Sequence, residues 1–253
     1  MERPKIIPLV EELKDPLPPE KSFAALKGSG YSFFLDSSLV SEKLGRYSFL
    51  GCDPFLVFKS KFDRITLEHE DARIEAFKGN PFDALRSIID RYRLEAVKGI
   101  PLASGGVGYL SYDLKRFVEE LPDISMDDME LPDSIICFYD TVVTYDNITG
   151  RAYISSSGLP EEDPQRRPAR ARERMKVLKR KLASPPARDP DPYLSENAAE
   201  LKSNFSKEAY IKAVLKAKEY IREGDMFKIE ASLTLWGQLL FISNGRKYKG
   251  NRP

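Results

Sequence analysis

Asp36, Ser37 and Arg46 are the side chains in this chain whose types and spacing suggest binding chemistry. They stand between short apolar runs: Tyr31 to Leu35 before them, Tyr47 to Leu50 after, and Phe55 to Phe58 beyond Asp53-Pro54. Such runs, rich in aromatic residues and bounded by Gly, Pro, Asp and Ser, read as strands joined by turns. A carboxylate, a hydroxyl and a guanidinium at strand ends are suited to a zwitterion, with Asp36 facing its ammonium and Arg46 its carboxylate. The same three residues also fit a plain turn, in which Asp36 and Ser37 bond their own backbone and Arg46 pairs locally. Residue types leave both readings open.

The elements that must position these groups follow from the rest of the chain. Its 253 residues suffice for one large domain or two small ones. Forty basic against thirty-nine acidic residues leave a net charge of +1, so no global field argues for nucleic acid or an anionic membrane. A hydrophobic fraction of 42%, with fourteen Phe and twelve Tyr, marks a globular chain. There is no apolar run of the roughly 20 residues a membrane span needs, and Met-Glu-Arg-Pro-Lys lacks a signal-peptide core. Cys52 and Cys137 show no metal spacing and read as small buried hydrophobes of a reducing cytoplasm.

Prolines 4, 8, 16, 18 and 19 predict an extended surface lead-in, with a short helical turn over Ser22 to Lys27. Arg64 to Leu67 and Arg73 to Phe77 flank a charged tip, a hairpin pattern that leaves His69 as a solvated tip residue. Pro81 opens a helix to Tyr92, with Asn80 as N-cap and Phe82, Leu85, Ile88 and Ile89 as its packing positions. The glycines of Ser104-Gly-Gly-Val-Gly-Tyr-Leu-Ser-Tyr-Asp113 lack a third dinucleotide-loop glycine, and no Gly-Lys-Ser/Thr follows. Close passage of one backbone by another at a sheet bend accounts for them better. Ser134 to Asp146 and Arg151 to Ser155 read as two strands around Asp146-Asn-Ile-Thr-Gly150 turn chemistry. The sum is an antiparallel, meander-rich α+β domain.

Arg166 to Lys181 carries nine basic residues and one acid, with Met175, Leu178 and Leu182 at helical spacing. This is a helix covering a sheet; without interleaved aromatics it is a poor nucleic-acid surface. Four prolines in Ser184 to Pro192 mark a linker. The predicted division is therefore a domain over 1–183, a linker over 184–203 and a second domain opening at 204. That opening is a strong helix from Asn204 to Asp225, capped by Ser206 and ended by Gly224, with Tyr210, Val214, Ala217 and Ile221 as its stripe. Met226 to Leu235 reads as a strand, and 236–253 close no element.

Three stretches together resemble component I of the chorismate-aminating synthases, aminodeoxychorismate synthase and anthranilate synthase. They are Phe34-Leu-Asp-Ser37 with Gly45-Arg-Tyr-Ser-Phe-Leu-Gly51 and Asp53-Pro54, then Gly105 to Asp113, then Phe205-Ser206 through Gly224-Asp-Met-Phe227. The resemblance implies an N-terminal sandwich of antiparallel β-sheets with flanking helices over 1–183 and the start of a chorismate-binding domain over 204–253. It also implies amination of chorismate to 4-amino-4-deoxychorismate on the para-aminobenzoate (folate) pathway, using Mg²⁺ and ammonia from a glutamine amidotransferase subunit. Asp36 favours that branch, because anthranilate synthases (tryptophan biosynthesis) usually have Glu at the matching place. The family binds tryptophan in its N-terminal domain, and the matching positions are Asp36, Ser37, Leu44, Gly45, Arg46 and Tyr47. After Phe227 the match fades: Lys228, Glu230 and Ala231 stand where the family favours Gln, Asn and Leu, though Ser232 agrees. The family's chorismate-holding, metal-binding and catalytic segments match nothing here, so the expectation is a chain with no catalytic residue and no magnesium ligand, either an incomplete component I or a non-catalytic tryptophan-binding or partner-binding module.

Overall fold

The computed structural model describes residues 6–26, 28–40, 44–120, 127, 129–183, 202–203, 205–224, 235–236, 242–243 and 246–247. The chain divides into two compact units, Met1–Asp189 and Pro190–Pro253.

The first unit is built on two five-stranded antiparallel sheets. One has the order β1 (Leu9–Glu12), β10 (Arg151–Ser156), β9 (Thr141–Asp146), β3 (Tyr47–Gly51) and β2 (Phe33–Leu35). The other runs β6 (Ile74–Lys78), β5 (Arg64–His69), β4 (Leu56–Lys61), β8 (Ser134–Tyr139) and β7 (Gly105–Leu110). Side chains alternate faces along each strand, so each sheet needs cover on both sides. Leu50, Val143, Tyr145, Ala152 and Ile154 of the first sheet bury against Leu26 beyond α1 (Pro19–Ala24) and against Met175 and Leu178 of α3 (Arg167–Ala183). Leu56, Phe58, Ile65 and Phe138 of the second bury against Ile88 of α2 (Pro81–Arg91). Phe33, Val57, Cys137, Tyr139 and Val142 close the space between the sheets. The result is helix, sheet, sheet, helix, the expected α+β sandwich with flanking helices.

Two crossings join the sheets, and one helix residue holds both. The run from Ser134 to Asp146 is not one strand: Asp140 is the single residue between β8 and β9, which lie in different sheets. Its carboxylate is fully buried. Arg174 of α3 donates to it through Nε, at 3.1 and 3.0 Å, and through Nη2 at 2.9 Å. The same Nη2 reaches the Asp53 carbonyl at 2.8 Å, on the other crossing, between β3 and β4. Lys181 pairs with the Asp53 carboxylate. The basic helix thus turns two of its cations inward, as fasteners for a corner.

Other elements form for the reasons their sequences suggest. Asn80 Oδ1 accepts the Phe82 N–H at 2.9 Å and starts α2 at Pro81, although Ile89 is exposed. Gly108 permits the close approach of β7 to β8, since a Cβ there would stand 1.8 Å from the Ile135 carbonyl oxygen. The proline-rich lead-in is in part a strand: β1 pairs with β10 as a sheet edge, where proline is tolerated nearby. His69 is not a solvated tip residue, for its side chain is 14% exposed, with Nδ1 3.2 Å from Arg73 Nη2 and Nε2 3.0 Å from Glu75 Oε1. Both cysteines are buried free thiols, and burial pushes the Cys52 thiol up to about 11.

In the second unit α4 (Lys207–Glu223) has the expected caps. Ser206 Oγ accepts the Ala209 N–H at 3.1 Å, and Gly224 takes the left-handed conformation at φ 85°. Lys202–Ser203 (β11) pairs with Leu235–Trp236 (β12), and Ile242–Ser243 (β13) with Arg246–Lys247 (β14). Of the strand expected over Met226 to Leu235, all but Leu235 lies outside the described residues.

Candidate functional site

The loop from β2 to β3 carries Asp36, Ser37, Leu44, Gly45 and Arg46, and Tyr47 opens β3. Gly45 sits in it at φ 75°, and a Cβ there would stand 2.1 Å from the Leu39 carbonyl oxygen, so this turn admits glycine alone. Ser37 Oγ donates to the Tyr47 carbonyl at 2.7 Å, tying the two ends of the loop. Below it lies Ser48, fully buried on β3. Ser48 Oγ accepts from the Ser37 N–H at 3.2 Å and from Asn147 Nδ2 at 2.9 Å, and donates to Asp36 Oδ1 at 3.1 Å. One hydroxyl therefore orients Asp36, Ser37 and the β9–β10 turn together.

Arg46 pairs with an acid one hundred residues away rather than locally. Its Nε and Nη2 donate to Asp146 Oδ1 and Oδ2 at 3.2 and 2.7 Å, a bidentate pair at the end of β9. Its guanidinium also lies 5.0 Å from the Tyr47 ring centroid, and Tyr47 stacks on Phe49 at 6.2 Å. Asp36 and Ser37 share Ser48, whereas Arg46 stands with Asp146 and Tyr47; Leu44 is 78% exposed on the loop. Asp146, Asn147 and Ser48 hold these groups in place, a part that sequence reading passes over. The first two looked like turn residues, and they are that as well, since Asp146 Oδ1 caps the Ile148 and Thr149 N–H groups at 3.1 and 3.3 Å.

The Arg46 pairing, opposed by burial and helped by those two N–H bonds, lowers the Asp146 carboxyl from an ordinary 3.8 to about 2. Between these values the unfolded chain binds the proton and the folded one does not. The contribution is therefore complete above pH 4 and disappears as pH falls toward 2, and it amounts to about 1–2 kcal/mol once water around the half-exposed Arg46 is allowed for. Urea unfolding of the protein and of Asp146→Asn at pH 6, 4, 3 and 2 is expected to give stabilities that converge toward pH 2. A gap that stays constant would separate Asp146 from the acid response.

A model of the chorismate binding enzyme family matches residues 52–238. The chain belongs to that family. Among relatives of this chorismate-binding family member, anthranilate synthase component 1 of Acetivibrio thermocellus is 32% identical, over 91% of this chain and 48% of its own. The same protein of Cereibacter sphaeroides is 35% identical, over 82% and 43%. Aminodeoxychorismate synthase component 1 of Bacillus subtilis is 29% identical, over 77% and 41%. The chain spans about half the length of the curated relatives it matches. The crystal structure of anthranilate synthase component I from Streptococcus pneumoniae superposes with a TM-score of 0.55 at 20% identity, over 84% of this chain and 45% of that one, and agrees in fold.

Among the described residues of this family member no three carboxylates, imidazoles or thiols gather closely enough to hold a metal ion, so no magnesium ligand is assigned and no step is routed through one. Among the same residues no helix is long and apolar enough to cross a membrane.

Proposed function

We propose that this chain supplies the effector-binding sandwich of component I of a chorismate-aminating synthase, whose reaction takes ammonia from a glutamine amidotransferase subunit and uses Mg²⁺ held outside the residues described above. The observation that carries the reading is the family match across residues 52–238, joined to a loop in which buried Ser48 fixes Asp36 and Ser37. In this reading the loop takes L-tryptophan. Asp36 receives the ammonium; Tyr47, stacked on Phe49, and Leu44 offer apolar surface to the indole; Ser37 and Gly45 set the loop's shape. Arg46, anchored by Asp146, adds positive charge toward the carboxylate.

The anthranilate branch is the one we favour, because relatives bearing that name reach 32% and 35% identity. Asp36 supports a second reading, the aminodeoxychorismate branch, with tryptophan as a structural ligand. A fusion of residues 1–224 to the remainder of the Acetivibrio thermocellus relative tests both. Given chorismate, Mg²⁺ and ammonia, it is expected to form product that L-tryptophan suppresses, and Asp36→Asn weakens the suppression at least about tenfold through loss of a charge-assisted contact. Tryptophan binding without inhibition selects the second branch. A folded fusion that neither binds nor responds to tryptophan contradicts the proposal.

A further inference from the structure

A half-open cavity of about 190 Å³ lies between α2 and the second sheet, away from the β2–β3 loop. Its apolar wall is made by Phe55, Ile89, Tyr92, Leu94, Phe138 and Leu159. The Phe55 and Tyr92 rings meet edge to face at 5.1 Å, and Phe55 and Phe138 are tilted at 6.4 Å. A closed apolar cavity of roughly 150 Å³ is enough to take up benzene. The space here therefore suits one six-membered ring with a small substituent, and aromatic walls favour an aromatic guest.

Two glycines form part of the wall. Gly105 and Gly106 line the cavity, and a Cβ on Gly106 would stand 2.9 Å from Ile136 Cγ2 and 3.3 Å from the Phe138 ring. Ser104, also on the wall, is already engaged, with Oγ donating to the Tyr139 carbonyl at 2.7 Å and lying 2.9 Å from Ser157 Oγ. Arg93 is the charged residue of the lining and is exposed. Among the described residues no hydrogen bond or ion pair is recorded for its guanidinium or for the Tyr92 hydroxyl, whereas neighbouring Arg91 pairs with Glu162 at 2.6 Å. An apolar slot of one-ring size with an exposed guanidinium in its wall is complementary to a ring that carries an anion.

We propose that this cavity binds a single-ring aromatic carboxylate, its ring held among Phe55, Tyr92 and Phe138 and its carboxylate paired with Arg93. The assignment rests on the cavity alone and stands whichever branch the synthase follows. Calorimetry and ligand-observed NMR with benzoate, benzyl alcohol and acetate on the intact chain test it. Benzoate is expected to saturate at one site with Kd of about 1 mM or tighter, benzyl alcohol to bind at least about tenfold more weakly and acetate not to saturate. Arg93→Gln, at an exposed position, brings benzoate down to the level of benzyl alcohol and leaves benzyl alcohol unchanged. Ile89→Trp, also exposed, fills the space and removes both; should it fail to fold, Arg93→Gln decides. Asp36→Asn leaves benzoate binding intact, which keeps this site separate from the tryptophan loop. Benzoate that does not saturate, Arg93→Gln that binds benzoate as the unmutated chain does, a folded Ile89→Trp that still binds, or loss of benzoate in Asp36→Asn each overturns the assignment.

Discussion

Replacing Arg174 by Leu is expected to lower the stability of the first unit by about 3–5 kcal/mol, because it leaves the Asp140 carboxylate buried with no counter-charge. Asp140 is the single residue between β8 and β9, which lie in different sheets, and its side chain is fully buried. The substitution also strips a donor from the Asp53 carbonyl on the second crossing. Arg174→Lys rescues little, since a single ammonium cannot reproduce three N–H contacts to one carboxylate plus a fourth to a carbonyl. The double variant Arg174→Leu, Asp140→Asn is expected to lose less than the two single losses added together, as the stranded charge is gone. Urea unfolding at neutral pH reads the unmutated chain, Arg174→Leu, Arg174→Lys, Asp140→Asn and the double variant, and a loss below about 1 kcal/mol for Arg174→Leu would remove the corner-fastening role.

Phe58→Ala is expected to cost about 3–5 kcal/mol, the range for emptying a fully buried aromatic position. Phe58 lies on the central strand β4 with 0% exposure, packed in the cluster that joins the second sheet to Ile88 of α2. Ile89→Ala, one position along α2 from Ile88, is expected to change stability by less than about 0.5 kcal/mol, because Ile89 is 53% exposed. Thermal unfolding of the two variants checks the contrast. Equal losses would mean that α2 is rotated on the sheet by about one residue relative to its position here.

Elements with local signals were legible in the sequence. Asn80-Pro81 marks the start of α2 and Ser206 and Gly224 bracket α4, because caps and φ preferences act over three or four residues. What escaped depends on contacts distant in sequence. The apolar run from Ser134 to Asp146 has the composition of one long strand, and nothing local says that Asp140 turns it into a second sheet. The partner that makes a buried aspartate tolerable there is Arg174, in a helix thirty-four residues away. One signal was present: Arg174 falls on the same helical face as Ala171, Met175 and Leu178, which are buried, so an inward cation needs an inward anion. The pairing of Arg46 with Asp146 spans one hundred residues, and no spacing rule reaches that far. The same holds for Ser48, whose hydroxyl looked like an ordinary strand residue until β3 and β9 were paired.

The account rests on the β2–β3 loop being a prepared amino-acid site in a chorismate-binding family sandwich. Titrating L-tryptophan into the intact chain by calorimetry tests this most directly, beside Asp36→Asn and the stereoisomer D-tryptophan. A saturable one-to-one heat for the L-isomer, weakened at least about tenfold by Asp36→Asn and absent for the D-isomer, is the result expected of a carboxylate aimed by Ser48. No heat from the unmutated chain, or equal binding by Asp36→Asn, would contradict it.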